Sequence, residues 1–578
     1  MAEFTSFEVE YKLDSDDARD DANVTAIGNS EIADIALINR DNEFPKVITR
    51  EHNYTILDGS HTEYDDTNFI GFWSASKSDA QGRFSTNPKL TINFSHTHTS
   101  YATTLHFISD PPKSMHVTWY HNAVVLSSMD PEIDLTKSVI VINNAVENYN
   151  KMEIEFTEAL PDRYIKLDHI EYGTTMNWDE TIIKSGTLVK GLNRLGDMLS
   201  IDTLDFELVD TTNSMNFGNP NGLHTLIKKN QAMKPKEIMD DVEIPLGTFY
   251  LDSFTNDANN VGKIHAVSLM GLLDKMQYNG SDVYNGTTAD YVIRDVFYAA
   301  GIDAVYLDIS EAIAEKLVYG SIPPKSCKEA LQDVLFALHA VVDSSDPEHI
   351  VISEYSDIIR TNITRANKVS TSVATREYVT GVKLNFTTYT EGSEIIDIST
   401  ASYSAGQHTV TFSSPYSIVD IGEDAVLVDY SAYSVTFRLN AAGTVTIRGH
   451  QYTSEDHTIL IKGDVPSGEV ENIREFSTTL CNLDTATPLV KEIFSYFNDN
   501  RLEITIQHYC TEIDMGDMRL IENPDSRFSD FIGMFEERSI DLTGGFFDSA
   551  KLVGRYDTSS KYLYTGTELY IDEDPGII

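Results

Sequence analysis

Short runs in which apolar and polar residues alternate recur along most of this chain, and turn residues (Pro, Gly, Asn, Asp or Ser) separate them. A period of two places successive side chains on opposite faces of an extended backbone, so such runs fold as half-buried strands. Residues 244–276, IPLGTFYLDSFTNDANNVGKIHAVSLMGLLDKM, show the pattern in compact form. TFYLDSF and KIHAVSL read as the strands of a hairpin, TNDANNVG as its polar loop, with Gly247 and Gly262 opening the strand turns. MGLLDKM reads as a helix capping one end. The stretch carries no catalytic motif; it looks built for shape.

Residues 51–173 read as all-β, in runs of five to eight residues such as MHVTWYHNAVVLSS (115–128) and MEIEFTEAL (152–160). Residues 180–280 and 376–465 return to strands. Between them, ADYVIRDVFYAAGI (289–302) and SCKEALQDVLFALHAVVD (326–343) space apolar residues by three and four, the helical period, with Ser326 placed as an N-cap. TPLVKEIFSYFNDN (487–500) reads as a further helix, RLEITIQHYC as a strand, and IDLTGGFFDSAKLVGRY (540–556) as a Gly-Gly hairpin. The fold class is therefore α+β and β-rich, with helices segregated from strands.

At 578 residues the chain is too long for one core and predicts about four domains. The net charge of −47, spread over the whole length, repels nucleic acid and anionic membranes; it suits solubility, or a surface that a polyanion passes without sticking. No run reaches the length of a membrane span. The N-terminus lacks the basic and apolar regions of a secretion signal, so a chain made and kept in the cytosol, or leaving it by lysis, is expected. Three scattered cysteines, Cys327, Cys481 and Cys510, suit reduced structural thiols better than a disulfide framework or zinc cluster. In DSDDARDDAN (14–23), a turn or helix start, Arg19 and Thr25 stand where a calcium loop needs Gly and Glu.

No nucleophile elbow, zincin or phosphate-loop motif occurs, so no catalytic residue, cofactor or metal site is assigned. His96 and His98 form the one close histidine pair, more in keeping with an exposed strand or loop than with ligation. Trp73, Trp119 and Tyr120 are candidates for stacking on a glycan, the alternative being that both tryptophans are core. Alternation puts Trp119 and Tyr120 on opposite faces, so one of them points inward.

Two regions resemble known families. LDGS (57–60), IGFWSASKSDAQGRFSTNPKLTINFS (70–95) and DRYIKLDHIEYG (162–173) resemble a discoidin-type, carbohydrate-binding-like jelly roll of the kind appended to phage tail proteins. The 244–276 stretch, YNGSDVYNGTTADYVIRDVFYAAGI (278–302), GSIPPKSCKEALQDVLFALHAVVD (320–343) and the closing hairpin resemble the baseplate hub of contractile phage tails and related bacteriocins. Residues 1–50 read as a polar, acidic segment; the resemblance implies a β-sandwich over 51–173 and a first tube-like β-barrel domain over 174–285. An α+β insert over 286–375 and a second tube-like domain with a strand-rich insert over 376–578 follow. It further implies a homotrimer adapting a hexameric tail tube to a threefold spike, with tail tube, spike, baseplate wedge and tape measure proteins as partners, in a virion tail or bacteriocin particle. A structural, non-enzymatic role is the first expectation. Cell-wall glycan binding through the sandwich is the second, and a tail-associated cell-wall hydrolase the third.

Overall fold

The computed structural model describes residues 5–571 apart from internal segments, the longest being 40–47, 62–70 and 217–226. LDGS (57–60), Cys510 and the Gly-Gly turn at 544–545 lie outside the described residues. The fold is β-rich α+β. It divides into two compact units: a smaller one of Glu10–Asn177 and Thr212–Gln231, and a larger one of Met1–Val9, Trp178–Thr211 and Ala232–Ile578.

The smaller unit is built on a sheet ordered Phe72–Trp73, Lys166–Glu171, Lys89–Phe107, Val139–Glu158, Ser114–His121, Val124–Met129, with Asn23–Ile27 also pairing Lys89–Asn93. Its two central strands are 19 and 20 residues long, where the sequence predicts runs of five to eight. Bulges make this length usable. Leu90, Ile92 and Phe94 face the core on even numbers, whereas Leu105 and Phe107 face it on odd ones. The register shifts between Asn93 and Ala102 supply that change of parity, so one strand keeps its apolar side inward along its whole length.

The described residues of the first fifty carry regular structure. Phe7, Val9, Tyr11 and Leu13 are buried in the strand Thr5–Asp14, while Glu8 and Glu10 take the other face. Acidity on one face hides the alternation in a composition count. After it come a helix at Asp16–Asp21, capped by Ser15, and the strand Asn23–Ile27.

In the larger unit eight strands run side by side in the order Lys368–Thr375, Leu502–Tyr509, Phe547–Tyr556, Phe531–Asp541, Ile183–Gly191, Thr203–Val209, Val261–Val267, Phe249–Asn256. Numbered by chain order within each group of four, both quartets read 1-2-4-3 in the same direction. Their registers coincide as well. Phe206 pairs with Ile264, which pairs with Phe254; Ile506 pairs with Ala550, which pairs with Arg538. Each quartet has one bulge on its first strand, at Lys184 and Val369, and one on its third, at Asp252 and Glu536. The larger unit thus contains one four-stranded motif twice, head to tail. Both copies share one sheet, and the first strand of the second is Lys368–Thr375.

Between the copies lies a helical layer in which Ala289–Ala299 and Cys327–Leu338 bury Val292, Val296, Leu331 and Leu335. Ser326 caps the second helix, as the sequence predicts, and Glu329 completes a capping box. A hairpin of Gly381–Tyr403 and Gly443–Lys462 is inserted after the first strand of the second copy. Its base packs under the helix Leu483–Asp499 through Leu384 and Ile493. Its far end carries a three-stranded sheet with its own core of Val435, Phe437, Leu439 and Ile447.

Candidate functional site

The strand edges of the duplicated sheet are the feature that geometry marks out. The two copies meet where Phe531–Asp541 pairs with Ile183–Gly191, Ser539 opposite Val189 and Ile540 opposite Leu188. In that seam, the third strand of one copy joins the first strand of the other. The first part of the third strand is occupied by a preceding strand, Met518–Ile521, so the seam uses its second part. The other copy repeats this arrangement. Ala232–Met239, which also pairs with Val242–Pro245, reaches the third strand at Phe249 and Tyr250 only, and no described strand pairs with Leu251–Asn256 on that edge. At the opposite end, Lys368–Thr375 pairs with Leu502–Tyr509 alone among the described strands. The chain therefore presents one third-strand edge and one first-strand edge, complementary in type. Ser253, Thr255, Ser372 and Ala374 along them are exposed. Such edges are templates for pairing with another chain.

On the face opposite the core, acids are matched by bases. Asp205 contacts His265 at 2.7 Å, Glu207 contacts Lys184 at 3.0 Å and Lys263 at 2.6 Å, and Glu503 contacts Lys551 at 2.9 Å. The strongly negative charge of the chain is thus not concentrated on the described sheet face.

The three aromatic candidates fall in the smaller unit. Trp119 is 0% and Trp73 6% exposed, so both indoles are core residues without a free face for sugar. Lys166, itself buried against Glu51 at 2.6 Å, lies 5.4 Å from the Trp73 ring centroid. Tyr120 is half-buried; its hydroxyl donates to Glu153 at 3.1 Å, and Lys151 lies over its ring at 4.6 Å. Burial raises the Glu153 carboxyl, but bonds from Lys151, Lys89 and Tyr120 outweigh it and lower the group to about 2. Alternation predicted one inward residue of the pair, and that residue is Trp119.

His96 and His98 meet one carboxylate, that of Asp21, with His96 Nδ1 3.6 Å from its Oδ2. His96 is exposed, whereas His98 Nε2 lies 2.9 Å from Asp21, which also accepts from the backbone of Ser95 and His96. The bond from the Ser95 hydroxyl, then that from His98, holds the Asp21 carboxyl far below the usual range. Asp21 acts here as a clamp on the bulged stretch of the long strand. Cys327 and Cys481 are buried free thiols, each pushed up by burial to about 11, so neither is a thiolate at neutral pH. A cleft of about 850 Å³ in the larger unit is lined by Lys190, Asp197, Arg376, Glu536 and Lys551 among others.

Sequence reasoning missed the edges because pairing partners are not written in any local period. The recurrent bulge positions were equally invisible.

No family model matches the chain, and no curated protein matches it. Among solved structures it is similar to a tail protein from Neisseria meningitidis MC58, at 10% identity over 66% of this chain and 93% of that one, TM-score 0.40. It is similar to the prophage MuSo2 43 kDa tail protein from Shewanella oneidensis, at 9% identity over 66% and 95%, TM-score 0.36. The prophage tail protein gp18 from Listeria monocytogenes EGD-e matches at 10% identity over 67% and 92%, TM-score 0.36.

Proposed function

We propose that this chain is a structural, non-enzymatic subunit of a phage tail or phage-tail-like particle, and that three copies close a ring acting as a baseplate hub between tail tube and spike. The observation that supports this reading is the head-to-tail duplication with complementary open edges. A third-strand edge on one chain meeting a first-strand edge on the next is a heterologous contact, which generates a closed ring when the rotation per copy fits. The internal seam shows that the two edge types pair. Two motifs per chain make six per trimer, which is the match between sixfold tube and threefold spike that the sequence resemblance implies. Tail tube, spike, wedge and tape measure proteins are then the partners, and the virion tail or bacteriocin particle the location.

The equivalence also fixes a register. Ser539 opposite Val189 within the chain translates to Thr255 of one chain opposite Ala374 of the next. Oxidising a Thr255→Cys/Ala374→Cys variant is expected to give a covalent trimer on non-reducing gels, with neither single variant doing so. A protein that stays monomeric by light scattering at every concentration, with no interchain disulfide, would overturn the reading.

A further inference from the structure

A different feature of the smaller unit brings two imidazoles and a carboxylate together. His106 lies on the strand Lys89–Phe107; His169 and Glu171 lie on Lys166–Glu171. The strands are antiparallel, His106 opposite His169 and Thr104 opposite Glu171. Positions 104 and 106, and 169 and 171, share one face by alternation, while Leu105, Phe107, Leu167 and Ile170 enter the apolar core. His106 Nε2 is 3.3 Å and His169 Nε2 3.9 Å from Glu171 Oε1, and all three ligating atoms lie within 4.8 Å of one another. The two rings stack with centroids 4.0 Å apart.

A bulge completes the arrangement. Between His106 and Phe107 the register shifts, which leaves Asp168 as the extra residue beside His169. Its Oδ2 lies 3.0 Å from His169 Nδ1. A carboxylate accepting from Nδ1 fixes the tautomer that leaves a lone pair on Nε2, the usual outer partner of a metal-bound histidine. His106 Nε2, for its part, is buried and makes no hydrogen bond with the described residues.

We infer that His106, His169 and Glu171 hold a divalent transition-metal ion of the zinc class, with Asp168 orienting His169. Ligands about 2.0–2.1 Å from a tetrahedral ion stand roughly 3.4 Å apart, the spacing His106 and Glu171 already have; the two imidazoles, stacked within 13° of parallel, turn out of the stack on binding so that their in-plane lone pairs converge on the ion. Two nitrogens and one oxygen favour zinc, cobalt or nickel over calcium and magnesium, which take oxygen ligands. His169 and Glu171 are buried, while the His106 side chain is 24% exposed and gives the ion a way in. With two strands bound to one ion, the site cross-links the sheet where the parity of its long strand has changed.

The test is a titration of the full-length, EDTA-treated protein with Zn²⁺, followed by calorimetry, with Co²⁺ as a spectroscopic substitute. The expected result is one equivalent bound with micromolar or tighter affinity, a melting temperature raised by several degrees, and visible Co²⁺ bands of a tetrahedral site. His106→Gln and Glu171→Gln are expected to lose that equivalent, Asp168→Asn to weaken it about 10–100-fold, and His96→Gln to leave it unchanged. No stoichiometric ion in the wild-type protein overturns the inference, whether or not the variants fold. So does binding that survives in folded His106→Gln, or that disappears in His96→Gln.

Discussion

The two copies of the four-stranded motif place different chemistry at one and the same interior position. In the first copy Leu208, Gly262 and Phe254 meet; at the equivalent register in the second stand His508, Asp548 and Arg538. The apolar set depends on the missing side chain of Gly262, since a Cβ there would come within 3.1 Å of the Phe254 ring. The charged set fills the same space with an Arg538–Asp548 ion pair and His508 Nε2 at 3.6 Å from that carboxylate, all at most 2% exposed. Strand order, register and bulges are unchanged by the exchange. The backbone plan is therefore set by alternation and bulge placement, and the interior needs only to be filled and electrically satisfied.

The largest test of that comparison removes one partner. Arg538→Met leaves Asp548 buried without its guanidinium and is expected to cost about 3–5 kcal/mol in urea unfolding. Installing the whole apolar set instead, as His508→Leu/Arg538→Phe/Asp548→Gly, is expected to be neutral or stabilising. If that triple variant is as unstable as Arg538→Met, the two interiors are not interchangeable and the equivalence is only topological.

A smaller effect follows from pH. Burial holds His508 below its ordinary value; Asp548 opposes this, while Arg538 and Arg519 add to it. Below about pH 6.5 the unfolded chain takes up a proton that the native state does not. Stability from this group is thus present above that pH and falls as pH falls, by at most about 1.4 kcal/mol per pH unit. The wild-type protein is expected to lose more stability than the triple variant between pH 7.5 and 5.5; equal losses would remove His508 from the account.

The smallest change lies on the outer face. Glu207 occupies the position of Gln507 in the other copy. Bonds from Lys263 and Lys184 lower its carboxyl, yet the group is solvated, and exposed pairs contribute little. Glu207→Gln is expected to leave the melting midpoint unchanged, which distinguishes the tolerant outer face from the interior.

Much of this was legible beforehand. The hairpin of Phe249–Asn256 and Val261–Val267 and the helix Leu269–Leu273 lie where residues 244–276 place them. Gly247 has the positive φ of a turn, 101°, but Gly262 sits inside its strand with the Phe254 ring against it, which no local pattern indicates. Of the candidate binding residues, Trp119 followed the alternation inward and Tyr120 stayed half-buried. The cluster of His106, His169 and Glu171 joins residues far apart in sequence, which no local spacing reveals, whereas the neighbouring His96 and His98 both lie against Asp21 and differ in exposure.

The amino-acid sequence by itself determined the class of the fold, the long helices and most of the strands, because the periods of two and 3.6 and the capping residues act over a few neighbouring residues; the helix read over 326–343 stops at Leu338, and Ala340–Asp343 is a strand. Only the tertiary structure decided which strands pair, that Ile183–Gly191 adjoins a strand more than three hundred residues later, and that one motif is present twice. Pairing over such separations depends on how whole faces pack and where bulges shift the register, and no local period carries that information.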